Sequence, residues 1–366
     1  MCSFKTTNTL IVAGGGTGGH VLAGVAVADA WRDSSGEQAN VLFVGARGGI
    51  EEKLVPRAGY PLSLLKLGSL NRVSWLTRFK TLFLLPFSLF KSLGILLSAR
   101  PIAVLGVGGY ASGPVVLIAR MLSFFGLMNI RTSILEQNSV PGLTNRILGR
   151  VVQCVFCAFP GMESRFKKDK VILTGNPIRS SIRPLPSAPR DPFTVFIFGG
   201  SQGALGINTL VIEALPLFTD LQDRLRFVHQ TGEKDFDRVF EAYQKAGINS
   251  RVEKFIYDMP GAYAEASLVI CRAGSSTLSE IAAVGRAAVL VPFPFASDDH
   301  QEKNARVFAD AGAAFLLVQK TSNGLDLARI VRKVFKDHSM IDQMEKAVST
   351  FYRPNAAKSI VEGLKI

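Results

Sequence analysis

The chain has 366 residues, is 48% apolar, and carries a formal net charge of +13 with 34 glycines and four cysteines. That length supports two domains with proper cores, and the glycine content suits an α/β protein with many tight βα turns. Sparse, scattered cysteines exclude a disulfide scaffold and fit a reducing compartment, while "MCSFKTTN" lacks a signal-peptide pattern, so the cytoplasm is the expectation.

The first predicted strand is the apolar run Leu10–Ala13 in "LIVAGGGTGGH". Gly14, Gly15, Gly16, Gly18 and Gly19 crowd the turn after it, and "VLAGVAVADAW" then reads as a helix. Strand, glycine turn and helix N-terminus together make an anion site, because unpaired helix N–H groups point out of it. The pattern lacks the Lys-Ser/Thr pair of a P-loop, and no acidic residue closes a second strand as in a dinucleotide fold. The loop ends instead in His20.

Further strand-like runs follow in "NVLFVGA", "IAVLGVGG", "RTSILEQ" and "VVQCVFCAF", separated by helix-like stretches. They predict a doubly wound parallel sheet. Cys154 and Cys157 have CxxC spacing, but no further ligands stand at matching positions and the run is apolar. Buried strand cysteines are therefore expected, rather than a zinc or redox site.

The charge is uneven. Residues 1–176 hold 19 Lys/Arg against 8 Asp/Glu, and the remainder 23 against 21. No acidic residue lies between Glu52 and Glu136, where ten Lys/Arg occur. Such asymmetry suggests a polyanionic partner. The stretch 74–101 favours a membrane surface over nucleic acid, being rich in Trp75, Phe79, Phe83, Phe87 and Phe90 among Arg78, Lys80, Lys91 and Arg100. Its longest uncharged run is far short of the roughly 20 residues a spanning helix needs, and Pro86 is expected to interrupt it. An apolar face rimmed by basic residues suits a helix lying in the interface beside anionic lipid. Nucleic-acid binding would want basic residues in a polar groove with spaced aromatics. A buried core helix is the plainer alternative. A second stretch, "IARMLSFFGLMNIR" (118–131), has the same character.

Residues 175–192 hold five prolines without apolar periodicity and read as a linker. The pattern then restarts with "FTVFIFGGSQGALGIN", followed by "LRFVHQTG", "VEKFIYDM", "ASLVICRAG" and "AAVLVPFP". Two similar Rossmann-like parallel-sheet domains facing each other across a cleft are expected. They divide as 1–176 and 177–345, with a last helix in 346–366 that can cross back to the first domain.

Four glycine turns fall at strand ends: "GGGTGGH", "GVGGYASGP", "GGSQGALG" and "CRAGSSTLSE". The fourth feeds Ser275, Ser276 and Thr277 into a helix start, offering N–H groups and hydroxyls to a phosphate, with Glu280 one turn inside to accept from a ribose. One such turn alone is ordinary βα geometry. Four together point to a nucleotide diphosphate. Asn138 ends a strand in "EQN", Arg179 sits at the linker where a guanidinium can pair with a diphosphate, and "ASDDHQEKN" supplies His300 and Gln301. No cluster has metal-ligand spacing, so neither metal nor other cofactor is expected.

Taken in order, "GGGTGGH", "GVGGYASGP", "EQN" with "PGLTNR", "TGNPIR", "GGSQGALGIN", "FIYDM", "CRAGSSTLSEIAAVGRAAVLVPFP", "DDHQEKNA" and the tail's "PNAA" resemble the MurG family. Those are the membrane-associated N-acetylglucosaminyltransferases of peptidoglycan synthesis. The resemblance implies a GT-B fold, UDP-N-acetylglucosamine as donor and undecaprenyl-pyrophosphoryl-N-acetylmuramoyl-pentapeptide as acceptor. It implies a peripheral position on the cytoplasmic face of the bacterial membrane, and other cell-wall and division proteins as further partners. By position, Thr17, Gly18 and Gly19 would face donor and acceptor phosphates, and Asn138, Arg179 and Ser201 would contact the donor. Ile256 would meet uracil through its backbone, the segment Ser275, Ser276, Thr277, Leu278, Ser279, Glu280 would hold diphosphate and ribose, and Gln301 with His300 would reach the donor sugar. The family commonly has His before "EQN", where this chain has Leu135. The acid–base task then falls on His20, whose ionisation range suits a general base, or on a group the sequence does not identify. A structural hydrogen bond or helix cap is the other reading of His20.

The implied reaction inverts the anomeric centre: the muramoyl 4-hydroxyl attacks and UDP departs, with helix N-termini and Arg179 in place of a divalent cation. Rival readings are a UDP-sugar 2-epimerase or soluble transferase of the same fold, and a membrane-bound nucleotide-binding scaffold without catalysis. A dehydrogenase is disfavoured by the missing acidic ribose reader.

Overall fold

The computed structural model describes residues 8–36, 39–67, 75–200 and 202–365, with the side chains of 75–84 outside the description. The chain divides into two units. One runs to Arg179 and takes back the residues from Arg353 onward, and the other is Ser180–Tyr352. The divisions fall a few residues beyond those the sequence suggests. Gly175 gives the physical reason: a Cβ there would lie 2.5 Å from Arg353 Cβ, so the end of the first domain is packed on the returning tail.

The first unit alternates β1 (Asn8–Gly14), α1 (Gly18–Ser35), β2 (Ala39–Ala46), α2 (Glu51–Arg57), β3 (Leu62–Leu65), α3 (Trp75–Ala99), β4 (Ala103–Gly108), α4 (Ser112–Phe124), β5 (Arg131–Glu136), α5 (Leu143–Val151), β6 (Cys154–Cys157) and β7 (Val171–Leu173). The strands order as β3-β2-β1-β4-β5-β6-β7, all parallel. Leu10, Val12, Leu105 and Phe156 point to one face of this sheet, and Ile11, Ala13, Val104 and Ile134 to the other; all are buried. Both faces are covered by helices, which is why these strands read as continuous apolar runs rather than alternating ones. Cys154 and Cys157 are buried in β6, and burial pushes the Cys154 thiol up to about 11 and Cys157 higher still. Neither is poised for redox or metal chemistry.

The last helix, α13 (Ala356–Lys365), belongs to this unit and packs on α1 with Ile360, Val361 and Leu364 buried. Gly363 lets it approach the sheet, since a Cβ there would stand 2.7 Å from the Phe156 ring. Lys365 Nζ donates to Ser34 O at 3.1 Å and lies 5.3 Å from the Trp31 ring centroid. Contrary to the sequence expectation, α3 passes through Pro86 without ending. In the turns after the proline, Ser88 Oγ donates to Leu85 O at 2.7 Å and Ser92 Oγ to Ser88 O at 2.7 Å. Among the described residues no helix is long and apolar enough to cross a membrane.

The second unit contains β8 (Phe193–Phe198), α6 (Leu205–Ala214), β9 (Leu225–Gln230), α7 (Phe236–Ala246), β10 (Ser250–Glu253), α8 (Met259–Glu265), β11 (Leu268–Cys271), α9 (Ser275–Val284), β12 (Ala288–Leu290), α10 (His300–Asp310), β13 (Ala314–Leu316), α11 (Gly324–Lys336) and α12 (His338–Ser349). Its strand order, β10-β9-β8-β11-β12-β13, repeats that of the first six strands of the first unit, without a counterpart of β7. Of the apolar run "VEKFIYDM" only the start is strand; "FIYD" forms the loop after β10.

A polar network lies inside this second core. His229 on β9 is fully buried, its Nε2 3.1 Å from Asn208 Oδ1 and its Nδ1 3.3 Å from Tyr243 Oη. Asn208 Nδ2 donates to Thr231 O and Asp235 Oδ2, which fixes Oδ1 as the acceptor facing the ring. The imidazole is thereby neutral, with its proton on Nε2, and both nitrogens are satisfied. Burial pushes His229 from its ordinary 6.5 down to about 3. Folding therefore excludes a proton that the unfolded chain binds below pH 6.5. The stability tied to neutral His229 is complete above that value and is lost as pH falls towards about 3. In thermal melts between pH 6.5 and 4, the wild type loses stability faster than His229→Gln, by roughly 1 kcal/mol per pH unit. Parallel profiles for the two proteins would contradict a neutral, buried His229.

Candidate active site

In each sheet the strand order reverses beside the first strand, between β1 and β4 and between β8 and β11. At such a reversal the loops leave in opposite directions and open a crevice at the carboxyl ends of the strands. The four glycine turns noticed in the sequence are the loops at these two points.

In the first unit, Gly15 N donates to Gly108 O at 3.1 Å, joining the turn after β1 to the turn after β4. Thr17 is the N-cap of α1 in extended conformation, and its Oγ1 accepts from His20 N at 3.3 Å. Gly18 and Gly19 are the first two helical residues, so their N–H groups have no intrahelical acceptor. A Cβ at Gly18 would meet nothing within 4 Å, so its glycine is not required by packing. His20 is half-buried, and its Nδ1 lies 3.1 Å from Gly15 O. A carbonyl only accepts, so Nδ1 carries the proton and Nε2 is the basic nitrogen of the neutral ring. Nε2 is directed toward the β4 turn: a Cβ on Gly108 would come within 2.9 Å of it. His20 is thus both the structural hydrogen bonder and a group with the tautomer a base needs.

Asn138 is placed by a carboxylate that the sequence reading passed over. Glu136 is 2% exposed, and its Oε1 accepts from Asn138 N at 2.9 Å and Asn138 Nδ2 at 3.3 Å. Its Oε2 accepts from Asn145 Nδ2 at 2.9 Å and Gly142 N at 3.2 Å. Burial pushes its carboxyl up, while these four donors oppose the shift. The "EQN" segment is therefore a loop wound around its own acid. Leu135 is wholly buried in the core. Arg179 is exposed at the end of this unit.

In the second unit, α9 starts at Ser275 with Gly274 as an extended N-cap and no side chain capping it. Ser275, Ser276 and Thr277 are half-buried around that helix start. Glu280, 8% exposed, accepts from Tyr263 Oη at 3.2 Å. Two members of the expected segment also serve the helix. Leu278 is buried in the core and its N–H donates to Gly274 O at 3.0 Å. Ser279 Oγ donates to Ser275 O at 2.8 Å. Gln230 ties the loops together, donating from Nε2 to Gly200 O at 2.8 Å and accepting at Oε1 from Ile256 N at 2.9 Å. The Ile256 amide is therefore occupied within the protein. Gln301 Oε1 accepts from Phe293 N at 3.0 Å, and His300 Nδ1 lies 2.8 Å from Ser297 O, so both brace the loop after β12. Arg272 donates to Val291 O and Pro292 O at 3.0 Å each and stacks over Phe293; burial lowers its guanidinium to about 10. Ser201 lies outside the described residues. No group of three or more His, Cys, Asp or Glu that could hold a metal ion occurs among the described residues.

Of the expected membrane-contact residues, the side chains of Trp75, Phe79, Lys80 and Phe83 lie outside the description. Phe87 is 69% exposed, as is its neighbour Phe90 at 74%. Lys91 Nζ donates to Leu64 O at 2.7 Å. α3 packs against α4, which exposes Met121 and Phe124, with Phe125 just beyond its end. The Arg120 guanidinium lies 5.9 Å from the Phe124 ring centroid.

Residues 10–157 match the Glycosyltransferase family 28 N-terminal domain, and residues 194–360 match the family 28 C-terminal domain. A relative from Myxococcus xanthus is 44% identical over 96% of this chain and 91% of its own length. One from Syntrophus aciditrophicus is 43% identical over 97% of this chain and 98% of its own. Both are described as UDP-N-acetylglucosamine–N-acetylmuramyl-(pentapeptide) pyrophosphoryl-undecaprenol N-acetylglucosamine transferase. The crystal structure of Acinetobacter baumannii MurG superposes with a TM-score of 0.78 at 31% identity, covering 98% of this chain and 99% of that one. A UDP-N-acetylglucosamine 2-epimerase from Neisseria meningitidis shares the fold alone, with a TM-score of 0.66 at 13% identity over 98% of this chain and 99% of that one.

Proposed function

The chain belongs to glycosyltransferase family 28, among its N-acetylglucosamine transferases acting on lipid-linked muramyl-pentapeptide, and from that premise we infer its reaction and the residues that carry it. It is a GT-B glycosyltransferase that moves N-acetylglucosamine from UDP-N-acetylglucosamine to N-acetylmuramyl-pentapeptide pyrophosphoryl-undecaprenol, in peptidoglycan synthesis. The observation that carries this is the agreement over both domains at once, at 44% identity along 96% of the chain. A likeness confined to the fold, as to the epimerases, would leave the reaction open.

The muramyl 4-hydroxyl attacks the anomeric carbon, its proton passes to His20 Nε2, the new glycosidic bond inverts the centre, and UDP carries away the electron pair. The Gly15 carbonyl on Nδ1 supports this role, since it holds the ring in the tautomer with an unprotonated Nε2. The acceptor pyrophosphate takes the N–H groups of Gly18 and Gly19 and the Thr17 turn, at the positive end of α1. Donor binding belongs to Ser275, Ser276 and Thr277 at the uncapped start of α9, with Glu280 on the ribose and the Ile256 carbonyl on uracil N3–H. Asn138, Arg179, Ser201, His300 and Gln301 complete the donor set, with Arg179 offsetting charge on the leaving diphosphate. In an assay of labelled N-acetylglucosamine transfer to the lipid acceptor, His20→Ala lowers kcat about 100-fold or more. Wild-type turnover in that variant would remove His20 as the base.

The enzyme works from the cytoplasmic face of the membrane as a peripheral protein, through the apolar faces of α3 and α4. Exposed Phe87, Phe90, Phe124 and Phe125 amid Lys91 and Arg120, with no acid between Glu52 and Glu136, support contact with anionic lipid. Phe87→Ser with Phe90→Ser is expected to reduce binding to phosphatidylglycerol-containing vesicles several-fold while turnover on a detergent-dispersed short-chain acceptor persists. Unchanged vesicle binding would refute this surface.

A further inference from the structure

Glu51, the first residue of α2, was not among the expected site residues, yet it is 1% exposed and lies inside the first glycine loop. Its Oε2 accepts from Gly16 N at 2.9 Å and its Oε1 from Ala46 N at 2.9 Å. Three glycines make room for it. A Cβ on Gly15, Gly45 or Gly49 would stand 2.1, 2.5 or 2.3 Å from its side chain. The loop that looks built for an external phosphate thus already holds an anion of its own.

The partners of that loop share one peptide group. The N–H of Gly16 and the C=O of Gly15 are the two edges of a single planar unit. Its N–H donates to Glu51, and its C=O accepts from His20 Nδ1. We propose that Glu51 is a positioning residue for the transfer reaction, acting on His20 through the Gly15–Gly16 peptide. The carboxylate on the N–H edge fixes the plane of the peptide and increases the negative charge on its carbonyl oxygen, strengthening the bond to Nδ1–H. That bond holds the ring orientation and the proton on Nδ1, so Nε2 stays the basic nitrogen. The arrangement does for this imidazole what a directly bonded carboxylate does in a Ser-His-Asp triad, with a peptide interposed. Gln cannot replace Glu here. Both backbone partners are donors, and an amide side chain presents one acceptor and one donor to them.

The proposal rests on His20 being the base, and the test separates the two. In wild-type protein labelled with 15N-histidine, the His20 ring resonances, assigned by their loss in His20→Gln, are expected to report the Nδ1–H tautomer at pH 8. Free histidine favours the other form. Glu51→Gln is expected to shift His20 toward the Nε2–H tautomer and to lower kcat about 10- to 100-fold, the range seen when a residue orienting a functional group is removed. The KM for UDP-N-acetylglucosamine stays within about twofold, because the hydrogen-bond partners of Glu51, Gly16 and Ala46, are not among the proposed donor residues. An Nε2–H tautomer in the wild type, which needs no variant to fold, overturns the relay even if His20→Ala is inactive. A folded Glu51→Gln with wild-type tautomer and kcat overturns it as well. Full activity in His20→Ala overturns the base assignment and the relay with it.

Discussion

Gly14 and Gly108 meet backbone to backbone where β1 and β4 part, and this approach sets the geometry of everything above the first sheet. A Cβ on Gly14 would sit 2.3 Å from Gly108 O, and one on Gly109 would sit 2.5 Å from Gly15 O. Only glycine allows the two turns to lie this close, with φ of +147° at Gly14 and +82° at Gly109. The register of β1 on β4 slips at the same place, between Ala13 and Gly14, so the loops can cross. From that crossing follow the Gly15–Gly108 bond, the direction of the Gly15 carbonyl, and the seat of His20 beneath the β4 turn.

The second unit uses the same strand order with different contents. Gly203 and Gly232 each abut the neighbouring loop's backbone, so the turns after β8 and β9 interlock much as those after β1 and β4 do. There a side chain, Gln230, ties Gly200 to Ile256, where the first unit uses a carboxylate. The first loop is held from inside by Glu51 and seats His20, the proposed base. The α9 start has no capping side chain, and Ser275, Ser276 and Thr277 stand around it where the proposed function places the donor diphosphate. Under the proposed function, the base sits at the switch point of the first unit and most of the donor contacts at that of the second.

Much of this was legible in the sequence because glycine and apolar runs carry strong local signals. Both sheets, their shared beginnings and the four turns could be read directly. The short strands β3, β7 and β13 escaped, being three or four residues with no turn signature of their own. Glu51 escaped for a subtler reason. An acid at the first position of a helix normally reads as a solvated partner of the helix dipole, and its burial depends on Gly15 after β1, Gly45 in β2 and Gly49 in the turn after β2. Glu136 escaped likewise, since its four donors come from residues that follow it around a turn. Gly15, counted as part of a phosphate cradle, vacates space for a carboxylate, and the Leu278 side chain packs into the core. The turns that carry the candidate residues were readable; which groups were already spoken for inside the loops was not.

The division of labour between the two switch points is most directly tested by UDP binding, measured calorimetrically on the full chain. Glu280→Ala and His20→Ala are compared with the wild type. The account predicts that Glu280→Ala weakens UDP about tenfold or more, the loss of a hydrogen bond to a charged group, while His20→Ala binds UDP as the wild type does. UDP affinity lost in His20→Ala and retained in Glu280→Ala would contradict it.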